Sequence, residues 1–167
     1  LEAVEKVFIA GMELEAFTTS GGLGTMCETW QGKVETLNYK TMRYPGHCHQ
    51  MNFFLNELGM HRDREEAARI LTEACPAVRE DVVYVHAAVE GRINGDLQRE
   101  EFTGQYRPMV IDGVEWRAIS WTTACSVAAV VEMVNEGQLP DQGFIKQEEI
   151  PLAPYLATAN GSLYQSS

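Results

Sequence analysis

The stretch "NYKTMRYPGHCH", residues 38–49, combines a strand-like pattern, a sharp break and a cluster of histidines. The alternation of apolar side chains over residues 33–44 predicts a long β-strand with one local irregularity. Pro45-Gly46 must end that strand, because proline cannot donate to a central ladder. The apolar spacing of residues 51–58 then predicts a helix. We therefore expect a strand-to-helix junction at residues 43–47.

Upstream of this junction, the pattern predicts two short strands divided at Gly11, the second leading into the glycine-rich turn "SGGLGT". Downstream, Asp63 is placed to cap a second helix, which should end before Pro76. The first half of the chain is thus expected to contain strands followed by two helices.

The second half carries two dipeptides typical of tight hairpins, Asn94-Gly95 and Asp112-Gly113. They predict a meander of three antiparallel strands. A helix capped by Thr122 or Thr123 and closed by Gly137 should follow. "GFIKQEEI" is expected to form an edge strand, and the tail from Pro151 to be irregular. This order of elements indicates an α+β fold, with a mixed, largely antiparallel sheet and helices packed on one face.

Composition narrows the possible functions. The chain has 167 residues and a formal net charge of −11, which opposes the phosphate attraction that nucleic-acid binding needs. No apolar run approaches the ~20 residues that cross a bilayer. The four cysteines form no CxxC pair, and no signal peptide is visible, so we expect a cytoplasmic protein. We expect one domain over residues 1–167, and an opening at Leu1 instead of Met suggests a piece of a longer protein.

The "SGGLG" turn and the cluster His47, Cys48 and His49 suggest a cofactor site and a metal site, but neither motif has the spacing that such a site needs. The turn "SGGLG" lacks the GxGxxG spacing. No strand, glycine fingerprint and helix form a unit with an acidic residue about twenty residues further on, so this chain alone should bind no nicotinamide cofactor. His47, Cys48 and His49 are adjacent, and adjacent side chains rarely share one metal ion. No metal site is predicted.

Lys40 and Arg43 are the best candidates for anion binding. They are three residues apart on a predicted strand and should therefore face opposite sides, so only one can point toward a ligand. Arg43 is the better candidate, because a guanidinium presents a planar fork of donors that matches a carboxylate. A solvated strand face is the alternative reading.

"FTTSGGLGT", "LNYKTMRYPGH" and the late "WTTACSVAAVVEMV" resemble the substrate-binding domain of the saccharopine dehydrogenase family. The resemblance covers most of the chain and implies a C-terminal domain of the glyceraldehyde-3-phosphate-dehydrogenase-like type. It also implies that a Rossmann domain, absent from this chain, binds NAD or NADP in the full-length enzyme, and that this domain contributes to a homodimer.

The resemblance implies a substrate site at the strand end and the glycine-rich turn. The residues at the family's matching positions are Thr19, Ser20, Gly21, Thr41, Met42, Arg43 and His47. Where saccharopine reductases carry Asn-Arg-Asp, this chain has Thr-Ser-Gly at residues 19–21, so the Arg that grips a substrate carboxylate is missing. The loss favours lysine or another amino acid over saccharopine. No catalytic acid or base can be assigned.

The implied function is oxidation at a carbon–nitrogen bond of an amino acid in lysine metabolism, by an NAD(P)-dependent oxidoreductase of which this chain, inactive alone, binds the substrate. Two alternatives stay open. The chain could be a non-catalytic amino-acid-binding or dimerisation module, or a purely structural α+β domain.

Overall fold

The computed structural model describes residues 2–19 and 22–165, with only the backbone of Glu2. Strands and helices confirm the α+β class. The chain divides into two compact units, residues 1–78 and 79–167. Over the described residues, the strands form three separate antiparallel sheets, where the sequence predicted one. The single domain expected over residues 1–167 stays a prediction.

Unit 1, residues 1–78, contains a three-stranded sheet. Its strands are β1 (Glu2–Ile9), β2 (Met12–Thr18) and β3 (Thr41–Arg43), with β2 in the centre and both pairings antiparallel. Ala10 and Gly11 both have positive φ, as a two-residue hairpin turn requires. The two N-terminal strands divided at Gly11 are therefore confirmed.

The long strand predicted over residues 33–44 is wrong, because only Thr41–Arg43 is extended and paired. The pairing begins at Phe17 opposite Thr41, and β2 ends one residue later, at Thr18. The other edge of β2 is occupied by β1. Residues 34–40 consequently have no strand to pair with.

The helices of unit 1 follow the sequence more closely. They are α1 (Met26–Thr29), α2 (His47–Asn52) and α3 (Arg64–Ala74). Asp63 caps α3 as predicted, since its carboxylate accepts the Glu66 amide at 3.0 Å. α2 continues into a π-helical turn, Phe53–Glu57, which breaks the predicted apolar stripe, and Leu58 is left exposed.

Unit 2, residues 79–167, contains two hairpins in place of the predicted meander. β4 (Val83–Ile93) pairs with β5 (Asp96–Tyr106), and β6 (Met109–Ile111) pairs with β7 (Val114–Trp116). Both turns have two residues with positive φ, so the two predicted hairpin turns are confirmed. Pro108, which lacks an N–H, separates β5 from β6, and the chain enters a helix straight after β7.

The helix of unit 2, α4 (Ala118–Asn135), begins four residues before the predicted cap at Thr122. The carboxylate of Asp81 caps it from a distant part of the chain, accepting the amides of Ala118 at 2.7 Å and Ile119 at 2.9 Å. The Thr122 hydroxyl instead donates to the Ala118 carbonyl. Gly137 closes the helix as predicted, with φ +72°.

The core of unit 2 joins α4 to the C-terminal tail. Tyr106, Trp121 and Cys125 form a buried cluster against which Tyr164 packs. The tail is ordered, contrary to the prediction, as α5 (Leu152–Ala157) and a 3-10 turn over Gly161–Gln165. A 3-10 turn, Gln147–Glu149, replaces the predicted edge strand.

The Glu132 side chain on α4 ties down this tail. Its carboxylate accepts the Ala159 amide at 2.8 Å and both the amide and the side-chain nitrogen of Asn160. These hydrogen bonds, the Asn160 side chain first, lower the pKa of Glu132. Burial raises the pKa of Tyr164, so that hydroxyl stays protonated.

Among the residues that the structure describes, α4 is the one helix long and apolar enough, by length and composition, to cross a membrane. Trp121, Ala129 and Met133 on one side of it are buried in the core of unit 2. Because core helices pass the same test, this is weak evidence for a span.

Removing the α4 cap should lower stability. We expect Asp81→Ala to reduce the free energy of unfolding by about 1–2 kcal/mol, because two amides of the first helical turn lose their acceptor. Urea denaturation followed by circular dichroism measures this. Asp141→Ala, at an exposed aspartate, is the matched control. Equal midpoints for the two variants would contradict the capping role of Asp81.

Candidate functional site

The candidate site lies in unit 1, where β3 leads into α2. β2 and β3 are in a register that places Phe17 opposite Thr41 and Glu15 opposite Arg43. Residues two apart on a strand share a face. Thr41 and Arg43 therefore lie on the same face of the sheet as Phe17 and Glu15.

Thr19 joins this face at the end of β2. The hydroxyl oxygens of Thr19 and Thr41 are 3.2 Å apart, at hydrogen-bonding distance. Met42 pairs with Ala16 and therefore lies on the opposite face. The structure thus brings Thr19, Thr41 and Arg43 together and directs the Met42 side chain away from them.

Glu15 connects this face to the first turn of α2. Its carboxylate accepts the Gly46 amide at 2.8 Å and also the Cys48 amide. The residue is only 9% exposed, so these amides replace the water that the carboxylate has lost. The Cys48 amide, and then the Gly46 amide, lower the pKa of Glu15, with a smaller contribution from His47.

His47, Cys48 and His49 point in different directions. The His47 ring stacks on Phe17, with ring centroids 6.1 Å apart and planes 14° from parallel. Cys48 is buried and His49 is exposed. Over residues 2–19 and 22–165, no group of three or more His, Cys, Asp or Glu could hold a metal ion.

Lys40 precedes β3, so the predicted strand does not include it. It is still on the face opposite Arg43, because its partner Glu5 is aligned with Ala16 and Met42. Lys40 forms an ion pair with Glu5 at 2.9 Å, and its side chain is 17% exposed. Arg43 is exposed, and its Nη1 donates to the Met42 carbonyl at 2.7 Å. No carboxylate in the described part of the chain lies within ion-pair distance of its guanidinium.

The contrast follows from the position of Glu15. This carboxylate is the cross-strand partner of Arg43, but its two oxygens accept amides of the α2 turn. The guanidinium is therefore left with donors that are free to bind an external anion.

The glycine-rich turn is only partly described, and Ser20 and Gly21 lie outside the described residues. The Tyr39 ring packs against Gly22, where a Cβ atom would lie 2.2 Å from Tyr39 Cδ1. The following helix, α1, has four residues. The phosphates of a nicotinamide nucleotide need a glycine loop that opens a longer helix, which α1 does not provide.

Sequence reasoning missed Glu15 and Phe17. Glu15 is the one charged residue among four consecutive buried positions, 14–17. A carboxylate inside an apolar strand, which must be paired when buried, was the available signal. Its partners could not be read from the sequence, because they follow it by 31 and 33 residues.

Unit 2 contains a separate apolar cavity of about 280 Å³ between the β6–β7 hairpin and α4. Trp116 and Trp121 line it, with Asp112 and Asn160 as its polar members. It contains none of the site residues predicted from the sequence.

Residues 1–161 match the sequence model of a family described as Saccharopine dehydrogenase C-terminal domain. The match identifies this chain as a domain from a family of dehydrogenases. The match spans nearly the whole chain, and the chain belongs to this family. No solved structure matches it.

Neutralising Glu15 should destabilise unit 1. We expect Glu15→Gln to lower the free energy of unfolding by about 1–3 kcal/mol at neutral pH, because a charged acceptor of two amides is lost. The folded-state pKa of Glu15 is lowered, so its stabilisation is present above the unfolded-state pKa and disappears as the pH falls through the folded-state value. Urea titrations at several pH values measure this.

Glu13→Gln on the same strand is the control, since Glu13 is part of an exposed ion pair with Lys6. Such pairs contribute about 0–1 kcal/mol. A difference between wild type and Glu15→Gln that stays constant down to strongly acid pH would show that the carboxylate charge is not what stabilises the junction.

Proposed function

We propose that this chain binds the substrate carboxylate in an NAD(P)-dependent oxidoreductase of the saccharopine dehydrogenase family. The reaction is oxidation at a carbon–nitrogen bond of an amino acid, and the nucleotide is bound by a Rossmann domain outside these residues. The observation that carries the proposal is the exposed Arg43 guanidinium, whose cross-strand carboxylate is used by α2.

Arg43 is the anchor in this account. A guanidinium fork binds a carboxylate through two parallel hydrogen bonds. Among the described residues, Arg43 uses only Nη1. The neighbouring Lys40 cannot substitute for it, because its ammonium group is on the other face and paired with Glu5. A substrate carboxylate would therefore dock at residue 43.

The remaining site residues orient the substrate around this anchor. The hydroxyl pair of Thr19 and Thr41 presents a donor and an acceptor two residues from Arg43. The His47 ring, fixed by its stack on Phe17, borders the same face. The Met42 backbone carbonyl accepts a hydrogen bond from the Arg43 side chain.

A substrate with one carboxylate end fits this site best. Thr19, Ser20 and Gly21 offer no guanidinium where saccharopine reductases carry one, so a second carboxylate would have no cationic partner there. Lysine is the first candidate, which would give the protein a role in lysine metabolism.

The cofactor, NAD or NADP, supplies the hydride acceptor when it is bound by the second domain. The residues of this chain bind and orient the substrate. We further propose that the enzyme is cytoplasmic and that this domain contributes to a homodimer, which agrees with the apolar side chains left exposed on α4, Ile119, Val127 and Val131.

Carboxylate binding can be tested on the chain itself. Titration with L-lysine, followed by amide NMR shifts, should move the signals of residues 41–48 in wild type. We expect Arg43→Ala to weaken binding about tenfold or more, because the charge-assisted fork is lost. Cadaverine, which is lysine without its carboxylate, should bind wild type as weakly as lysine binds the variant.

Lys40→Ala is the matched control and should leave lysine binding unchanged. Equal affinity for lysine in wild type and Arg43→Ala would remove Arg43 from the site. The non-catalytic alternative is separated by a second assay: a longer protein that contains this chain and reduces NAD or NADP with lysine supports the enzyme, whereas binding without reduction of either nucleotide supports an amino-acid-binding module.

A further inference from the structure

The β4–β5 hairpin of unit 2 has a long edge to which no strand of the described part of the chain is paired. β4 and β5 have 11 residues each, and over residues 2–19 and 22–165 they pair only with one another. Residues 87–93 of β4 are exposed throughout, including Val89 and Ile93. A two-stranded hairpin is only marginally stable in water, and unpaired edges are templates for a further strand.

The register shows which backbone groups point outward from β4. Ile93 and Asp96 flank the two-residue turn and form a hydrogen-bonded pair, so odd-numbered residues of β4 bond to β5. The amides and carbonyls of residues 84, 86, 88, 90 and 92 therefore point to the open edge. In the described part of the chain, none of these backbone groups has a hydrogen bond.

We propose that a second copy of this chain pairs with β4 along this edge, antiparallel, with a two-fold axis at Ala88. The proposal rests on the homodimer proposed above and adds the β4 edge to its contact surface. It makes a continuous sheet in the order β5-β4-β4-β5, in which the whole of β4 is paired.

Charge and apolar matching select this register. A two-fold axis at the middle of β4 places His86 opposite Glu90 of the second copy, and Tyr84 opposite Arg92, each twice. The His86 imidazole can donate to the Glu90 carboxylate. The face of the Tyr84 ring can contact the Arg92 guanidinium. On the other face, Val83 meets Ile93. Like charges face each other at no position of this pairing.

The edge of β5 does not offer the same match. A two-fold axis at its middle places Glu101 opposite Glu101, and like charges directly opposite are destabilising. Glu100 and Glu101 also concentrate negative charge there. Such charges are a usual means of protecting an edge strand, so β4 is the edge that is open to a partner.

The test is sedimentation equilibrium of the whole chain. Wild type should form a dimer, and Ala88→Lys should weaken it about tenfold, because two ammonium groups meet at the axis. Inside the hairpin the new side chain faces Glu101, so the monomer fold is retained. Ala88→Thr, neutral and favourable in strands, should leave the dimer intact.

A charge exchange tests the register. His86→Glu should weaken the dimer, since it places two carboxylates opposite each other, and adding Glu90→Lys should restore it. Within one copy, His86 Nδ1 lies 3.7 Å from Glu101 and Glu90 is opposite Arg99, so circular dichroism must show an intact hairpin in both variants. Failure of the double variant to restore the dimer would overturn the proposal.

The remaining outcomes separate this proposal from the one above. A dimer that Ala88→Lys does not weaken would refute pairing at β4 and leave dimerisation standing. A wild-type chain that stays monomeric would refute both the edge pairing and the homodimer, without affecting carboxylate binding at Arg43.

Discussion

The buried carboxylate of Glu15 holds the junction between β3 and α2. Two amides of the α2 turn, those of Gly46 and Cys48, need acceptors, and Glu15 on the neighbouring strand satisfies both. The carboxylate in turn avoids the cost of an unpaired buried charge. These hydrogen bonds fix where β3 ends and α2 begins. They also occupy the Glu15 carboxylate, which would otherwise be the cross-strand partner of Arg43.

The parts of the fold that the sequence predicted are those fixed by local chemistry. Asn94-Gly95 and Asp112-Gly113 adopt the positive φ angles that their residue types favour, Asp63 caps the helix that follows it, and Gly137 ends α4. The start of α4 could not be predicted in this way, because its cap, Asp81, lies 37 residues upstream of the first amide it binds. The strand over residues 34–40 failed for a related reason, since pairing requires a free neighbouring edge.

The candidate site likewise has a part that could be predicted from the sequence and a part that could not. The motif around residues 41–47 indicated the family that the match over residues 1–161 establishes. The strand argument for Lys40 and Arg43 does not hold, because Lys40 precedes β3, and its ion pair with Glu5 is what separates it from Arg43. The reason that Arg43 has no carboxylate partner among residues 2–19 and 22–165 could not be predicted. It depends on Glu15 and on amides more than thirty residues away, which only the folded chain brings together.

The most direct measurement is the pKa of the Glu15 carboxyl, followed by carbon NMR in wild type and in Arg43→Gln. If the α2 amides stabilise the carboxylate and Arg43 does not, the pKa lies below its ordinary value in both proteins. A pKa that returns to the ordinary value in Arg43→Gln would show that Glu15 and Arg43 form an ion pair, and that Arg43 is not free to hold a substrate.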